Sequence, residues 1–235
     1  MERKVGCLVI HGFGGSYREI RPLAEALEEK GVLTKCPRLK GHTGIVSDLK
    51  KVCYDDWIAS AEAELVCLKA ECEEVFIAGF SMGGLIGVQL ALKYEVQGLV
   101  TINTPIYYLD FSKIVSNIIS DLRSREFINI KRYLKPSNRL PVKALLNFRQ
   151  LLNATKSRVP EVKTPLMIAQ AIDDDVVQHR SAGYLYTRAG SACKQLCTYT
   201  RGGHVLLLSE TKDALITDIF RFIDQQLPVA LKKAG

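Results

Sequence analysis

No run in this sequence approaches the ~20 consecutive apolar residues that a membrane-spanning helix needs, so no stable membrane anchor is expected. The start, Met1-Glu2-Arg3-Lys4, is too short for a secretory leader, and the apolar segment after it runs straight into a glycine turn. A disulfide framework is not expected either. There are seven cysteines, an odd count at irregular spacings, and neither Cys67/Cys72 nor Cys193/Cys197 matches a Cys-x-x-Cys metal or redox pattern. They read as small buried hydrophobes, and a cytoplasmic location is expected. Internal repeats and low-complexity tracts are absent. Tryptophan is reduced to Trp57, read as a packing anchor, and histidine to four residues, which bounds any imidazole chemistry.

What is present suits one α/β domain: 235 residues, 47% of them hydrophobic. The net charge of +7 is unevenly spread. Residues 106–160 hold eleven Lys/Arg against three Asp/Glu, a net of +8, so the rest of the chain is about neutral. The excess belongs to one segment, where apolar helix positions interrupt the basic residues and no aromatic platform for bases is evident. A nucleic-acid partner is therefore not expected.

Along the chain, strand and helix patterns alternate. Val5–Ile10, Val32–Cys36, Val75–Phe80, Gly98–Ile102, Leu166–Ala171 and Lys194–Tyr199 read as strands. Arg18–Lys30, Tyr54–Ala70 (with Asp55 or Asp56 at its start), Leu85–Lys93, Ser181–Arg188 and Asp213–Leu227 read as helices. Such alternation implies a mainly parallel sheet covered on both faces. One segment interrupts it. Phe111, Ile114, Val115, Ile118, Ile119 and Leu122 repeat as on an amphipathic helix, Tyr133 and Leu134 continue a second element, and Pro141 opens a third. On that third helix the apolar side is read as Val142, Leu145, Leu146 and Leu152. The expected organisation is a core of residues 1–105 and 161–235, with 106–160 as a helical lid resting above the sheet's C-terminal edge. A purely structural insertion is the alternative.

The chemistry centres on Val75-Phe76-Ile77-Ala78-Gly79-Phe80-Ser81-Met82-Gly83-Gly84. Four apolar residues run into Gly-x-Ser-x-Gly and a helix follows, the form of a strand, a sharp turn and a helix with serine at the apex. Residues two before and two after the serine must be small, and Gly79 and Gly83 meet that demand. The motif alone is also compatible with an ordinary tight turn, so its meaning depends on partners elsewhere.

A serine hydroxyl needs a base within hydrogen-bond reach, and the base needs an orienting acid. Of the four histidines, His11 and His42 precede the serine and His179 lies too near Asp173-Asp174-Asp175 to come from a separate strand end. His204 follows the last strand behind two glycines and is the expected general base. Spacing favours Asp174 as the acid, with Asp173 second; the others cap a turn or face solvent. His11-Gly12-Phe13-Gly14-Gly15 at the end of the first strand is by itself compatible with an ordinary strand-to-helix turn, but beside Ser81 and His204 it reads as an oxyanion loop, with backbone N–H donors from Phe13 and Met82. His42, in a polar loop, reads as structural rather than substrate-touching.

With these residues in hand, the chain resembles the α/β-hydrolase family, and within it the small-lid bacterial carboxylesterases and monoacylglycerol lipases. The likeness rests on His11-Gly-Phe-Gly-Gly, Gly-Phe-Ser81-Met-Gly-Gly, Gln170-Ala-Ile-Asp-Asp174 and Gly-His204-Val, and covers nearly the full length. It implies the α/β-hydrolase fold and hydrolysis of a small-molecule acyl ester through an acyl-enzyme, with no metal or cofactor. It places nucleophile, acid and base on Ser81, Asp174 and His204. The basic insertion keeps an acyl thioesterase in view, because acyl-CoA and acyl carrier protein are anionic. A hydrolase fold kept only as a binding module is the remaining rival.

Overall fold

Four of the strands are near-continuous apolar runs, broken only by Glu74, Thr101 and Gln170, the pattern of parallel strands buried on both faces. The structure, a computed structural model, describes residues 4–107 and 141–228. In it β1 (Val5–Ile10), β2 (Leu33–Lys35), β3 (Glu74–Phe80), β4 (Gly98–Ile102), β5 (Leu166–Ala171) and β6 (Lys194–Tyr199) form one sheet in the order 2-1-3-4-5-6, with every pairing parallel. The inner four strands are buried almost throughout, while β2 and β6 at the edges are partly exposed.

Side chains alternate across the pleat and feed two cores. Leu8, Ile10, Ile77, Leu99 and Ile168 pack with α2 (Tyr54–Glu71), α3 (Met82–Lys93), α4 (Val142–Arg158) and α5 (Arg180–Arg188). Val9, Phe76, Phe80, Val100, Met167 and Ala169 pack with α1 (Tyr17–Glu29) and α6 (Lys212–Gln226). Helices α1, α2, α5 and α6 begin and end within one residue of the positions read from periodicity, while α3 begins at Met82, three residues before the Leu85 read from the sequence, because the helix starts directly after the serine turn. At the start of α2 it is Asp56 that caps: its carboxylate accepts the Cys53 N–H at 2.9 Å and meets the Lys40 ammonium at 2.7 Å. Lys40, and then Cys53, hold its carboxyl down at about 2.

The helix α4 differs from the sequence reading. Leu152 is buried, but Val142, Leu145 and Leu146 are exposed, and the packed side is Ala144, Asn147, Phe148, Leu151, Leu152 and Thr155. Apolar residues occupy two adjacent stripes of this helix, so periodicity alone does not choose between them. Two hydrogen bonds accompany the observed phase. Asn147 Nδ2 donates to the Val52 carbonyl at 3.0 Å, and Gln89 Nε2 donates to Thr155 Oγ1 at 2.9 Å. A rotated helix would strand buried polar groups. The amphipathic pattern Phe111–Leu122 and the element at Tyr133 and Leu134 lie outside the described residues.

The turn after β3 is closely packed. Ser81 sits at φ +52°, a region that a non-glycine residue enters at a cost. A β-carbon on Gly79 would overlap the Gly83 carbonyl and the Gly84 nitrogen, and one on Gly83 would overlap the carbonyl of Ile10. Strand β1, strand β3 and helix α3 therefore touch through bare backbone.

Beside this turn, the loop after β2 folds against the loop after β1. His42 is 7% exposed, with its ring centroid 5.0 Å from His11 and 5.8 Å from Trp57. Burial, and next the charge of His11, push the His42 imidazole down from 6.5 to about 4. Burial lowers His11 as well.

Two predictions follow from this packing. Gly83→Ala lowers the unfolding midpoint by several degrees, as overpacking by on the order of 1–3 kcal/mol does. Gly183→Ala, inside α5 with no atom near its missing β-carbon, raises stability by about 0.5–1 kcal/mol. Calorimetry that ranked the two variants the other way would contradict this account. The second concerns acid. The native state takes up the His42 proton less readily than the unfolded chain, so its stability is full above about pH 6.5 and falls as pH drops toward 4. Urea unfolding at pH 7.5 and pH 5 then differs by about 2 kcal/mol from this group alone, and His42→Gln shows a correspondingly smaller difference. An unchanged pH slope in the variant would overturn the assignment.

Candidate active site

Parallel register levels the strand ends. Ile10 pairs with Gly79, Phe80 with Ile102, Ile102 with Ala169, and Ala171 with Tyr199. The loops that follow β1, β3, β5 and β6 therefore leave along one rim, the edge where ligands of such sheets bind.

Ser81 stands at this rim between β3 and α3. Its N–H donates to the Ile102 carbonyl at 2.8 Å, and the Gly84 N–H closes the turn onto the Ser81 carbonyl at 3.0 Å. The Ser81 hydroxyl is 3.2 Å from His204 Nε2, and His204 Nδ1 is 2.9 Å from Asp174 Oδ2. Asp174 is fully buried, and its other oxygen accepts the N–H groups of Val176 at 2.8 Å and Val177 at 2.9 Å. A carboxylate held this way cannot turn from the imidazole without losing buried hydrogen bonds. A neutral imidazole that donates from Nδ1 presents the Nε2 lone pair to the Ser81 hydroxyl.

Asp173 meets different groups. Its carboxylate accepts the N–H of Gly203 at 2.9 Å and of Gly202 at 3.2 Å. The adjacent aspartates thus divide the histidine loop, Asp174 taking the side chain and Asp173 the backbone. On the inner side, the Asn103 side chain donates from Nδ2 to the carbonyls of Gly203 at 3.0 Å and His204 at 2.7 Å. The ring of Phe80 lies 5.2 Å from that of His204.

Met82 is the first residue of α3, where first-turn N–H groups have no carbonyl a turn behind them and carry partial positive charge. Phe13 lies on the loop after β1, its ring stacked on Phe148 at 5.2 Å and tilted against Trp57 at 5.5 Å. The loop is held from below by Glu19, which accepts the Gly12 N–H at 3.3 Å. Burial raises the Glu19 carboxyl, while the Gly12 hydrogen bond and the charge of His204 act in the opposite direction. His42 packs edge-on to Phe13 at 6.3 Å and is buried, with its Nδ1 3.4 Å from the Lys40 carbonyl. His179 lies on the surface at the start of α5.

Asn103, Asp173 and Glu19 are the site neighbours whose contacts sequence reasoning did not find. Asn103 followed a strand with no motif around it. Its one signal is residue type, since asparagine enters the left-handed region more readily than most residues, and its φ is +45°. Among the described residues, no group of three or more His, Cys, Asp or Glu side chains is placed to hold a metal ion.

Known proteins share this architecture. A thermostable monoacylglycerol lipase of Bacillus sp. (strain H-257) is 28% identical over 229 residues, covering 93% of this chain and 90% of that protein. A carboxylesterase of Bacillus subtilis (strain 168) is 24% identical over 225 residues, covering 93% of this chain and 92% of that protein. A solved chain from LipS and LipT, two metagenome-derived lipolytic enzymes, superposes with a TM-score of 0.80 at 24% identity, covering 95% of this chain and 94% of that one. A sequence model of the alpha/beta hydrolase family matches residues 7–217, from within β1 to within α6. By that match and by its fold, this chain belongs to the alpha/beta hydrolase family.

Proposed function

We propose that the protein is a serine carboxylic-ester hydrolase that works through an acyl-enzyme on short-to-medium acyl esters or monoacylglycerols. The observation that carries this reading is the hydrogen-bonded line from Ser81 Oγ through His204 to Asp174. The lipase and carboxylesterase similarities point to the same substrate class.

Ser81 Oγ attacks the ester carbonyl carbon while its proton passes to His204 Nε2. The imidazolium that forms is stabilised by Asp174, which keeps its own charge. The carbonyl oxygen, now an anion, is held by the N–H groups of Met82 and Phe13, each contributing about 3–4 kcal/mol to the transition state. Collapse expels the alcohol, which leaves with the proton from His204, and the acyl group remains esterified to Ser81. A water molecule gives its proton to His204 and attacks that ester, and the carboxylic acid departs as Ser81 regains its hydrogen. Residues 106–160 act in this reading as the insertion that shelters the acyl chain. Its described part reaches the site, since Phe148 of α4 stacks on Phe13 of the loop after β1. All seven cysteines are free, and although only Cys7 and Cys72 are buried as the sequence leads one to expect, free thiols suit a reducing compartment and so a cytoplasmic enzyme.

A thioesterase is the second reading, favoured by one observation. The ring of Tyr107 lies 4.3 Å from Lys156 Nζ and 4.2 Å from the guanidinium carbon of Arg180, a cationic patch at the described end of the basic insertion. If anionic acyl carriers are the substrates, the thioester of a given acyl chain outpaces the matching p-nitrophenyl ester, and that advantage fades with salt. Equal rates that ignore salt exclude this reading.

For ester hydrolysis, Ser81→Ala lowers kcat on p-nitrophenyl butyrate by on the order of 10⁶-fold, and Asp174→Asn by roughly 10⁴-fold. Steady-state kinetics on purified, folded variants check both. Hydrolysis by Ser81→Ala at the wild-type rate would refute the assignment.

A further inference from the structure

The histidine loop has a weakness built into it. Gly202 and Gly203 precede His204 at φ +135° and +59°, so the segment that carries the imidazole has two residues with little intrinsic conformational preference. Left alone, such a loop samples many arrangements, few of which bring Nε2 to Ser81. Two side chains from other strand ends restrain it. Asp173, in the turn after β5, accepts both glycine N–H groups. Asn103, in the turn after β4, donates to the carbonyls of Gly203 and His204. Donors and acceptors of the same short backbone are thus taken from opposite sides.

Asn103 is tied further into the machinery. It is completely buried and lies in the left-handed region. Its Oδ1 accepts the Ala171 N–H at 2.8 Å, which fixes the amide's orientation, because a backbone N–H can only donate. Its own N–H donates to the Ala169 carbonyl at 2.9 Å, and the preceding residue, Ile102, accepts the Ser81 N–H at 2.8 Å. One short stretch of backbone and one side chain therefore join the serine turn, the strand that leads to the acid and the loop that carries the base.

We propose that Asn103 and Asp173 are positioning residues, which lock the Gly202-Gly203-His204 backbone in the one arrangement that brings His204 Nε2 to Ser81. This rests on the ester-hydrolase reading above. Neither side chain touches substrate, so their loss lowers kcat and leaves KM nearly unchanged. A looser His204–Asp174 hydrogen bond stabilises the imidazolium less, so the acid limb of the kcat/KM profile moves to lower pH.

The test compares Asn103→Ala, Asp173→Ala and Asp173→Asn with wild type on p-nitrophenyl butyrate across pH, after circular dichroism has shown each to be folded. Both alanine variants are expected to lose on the order of 10- to 100-fold in kcat, the cost of a misplaced catalytic group, with KM within about twofold. The acid limb shifts down, and Asp173→Asn, which keeps one acceptor, recovers part of the loss. If Asn103→Ala does not fold, Asp173→Ala decides, since Asp173 is exposed at the outer side of the loop. Alanine variants with kcat within twofold of wild type, or with a loss confined to KM, overturn the proposal. Ser81→Ala is the control that separates the two readings. If hydrolysis survives it, the ester-hydrolase assignment fails. If it abolishes hydrolysis while the loop variants stay active, only the positioning proposal fails.

Discussion

The contact between Ser81 Oγ and His204 Nε2, 3.2 Å long, joins residues 123 positions apart in the chain, and the rest of the site is arranged around it. Neither partner is held by local structure alone. Ser81 is forced outward by a backbone conformation that only the surrounding glycine packing makes tolerable, and His204 rides on a glycine loop. The sheet supplies the common reference. Because β1, β3, β4 and β5 end level with one another, loops of different lengths begin from one rim and need to reach only a short way.

The same logic accounts for what packs beneath. Close approach of α3 to β1 and β3 leaves no room for a β-carbon at Gly79 or Gly83, and it places the first N–H groups of α3 at the serine. The loop after β1 is shaped from below by Glu19 and from the side by His42 and Trp57. These residues react with nothing in the proposed mechanism. Their part in that mechanism is to hold the loop that carries the Phe13 N–H, one of the two proposed donors to the developing negative charge, which is the costly part of acyl transfer to arrange.

Much of this could be read in the sequence, for physical reasons. Buried parallel strands leave apolar runs, and amphipathic helices leave a 3.6-residue repeat. The serine turn needs small residues at fixed offsets, so Gly79, Ser81 and Gly83 are visible as a unit. Spacing favours Asp174 over Asp173 as the acid but says nothing of what the other aspartate does, because both follow the same strand and their contacts depend on how the turn bends. The structure gives each a separate contact, Asp174 with the imidazole and Asp173 with the loop backbone. Asn103 was out of reach, since its importance lies in a left-handed backbone and in contacts about a hundred residues away. The phase of α4 was missed because Leu145 and Leu146 lie beside Leu151 and Leu152 in the pattern, while Asn147 and Thr155 carry its buried hydrogen bonds.

The central claim is that His204 draws the proton from Ser81 and makes that one oxygen a nucleophile. It is tested most directly by treating the folded protein with a fluorophosphonate and locating the adduct by peptide mass spectrometry. One phosphonyl group per chain is expected, on Ser81, formed much more slowly when His204 is replaced by alanine. An adduct on another residue, no adduct on folded protein, or labelling of Ser81 that is indifferent to the loss of His204 would contradict it.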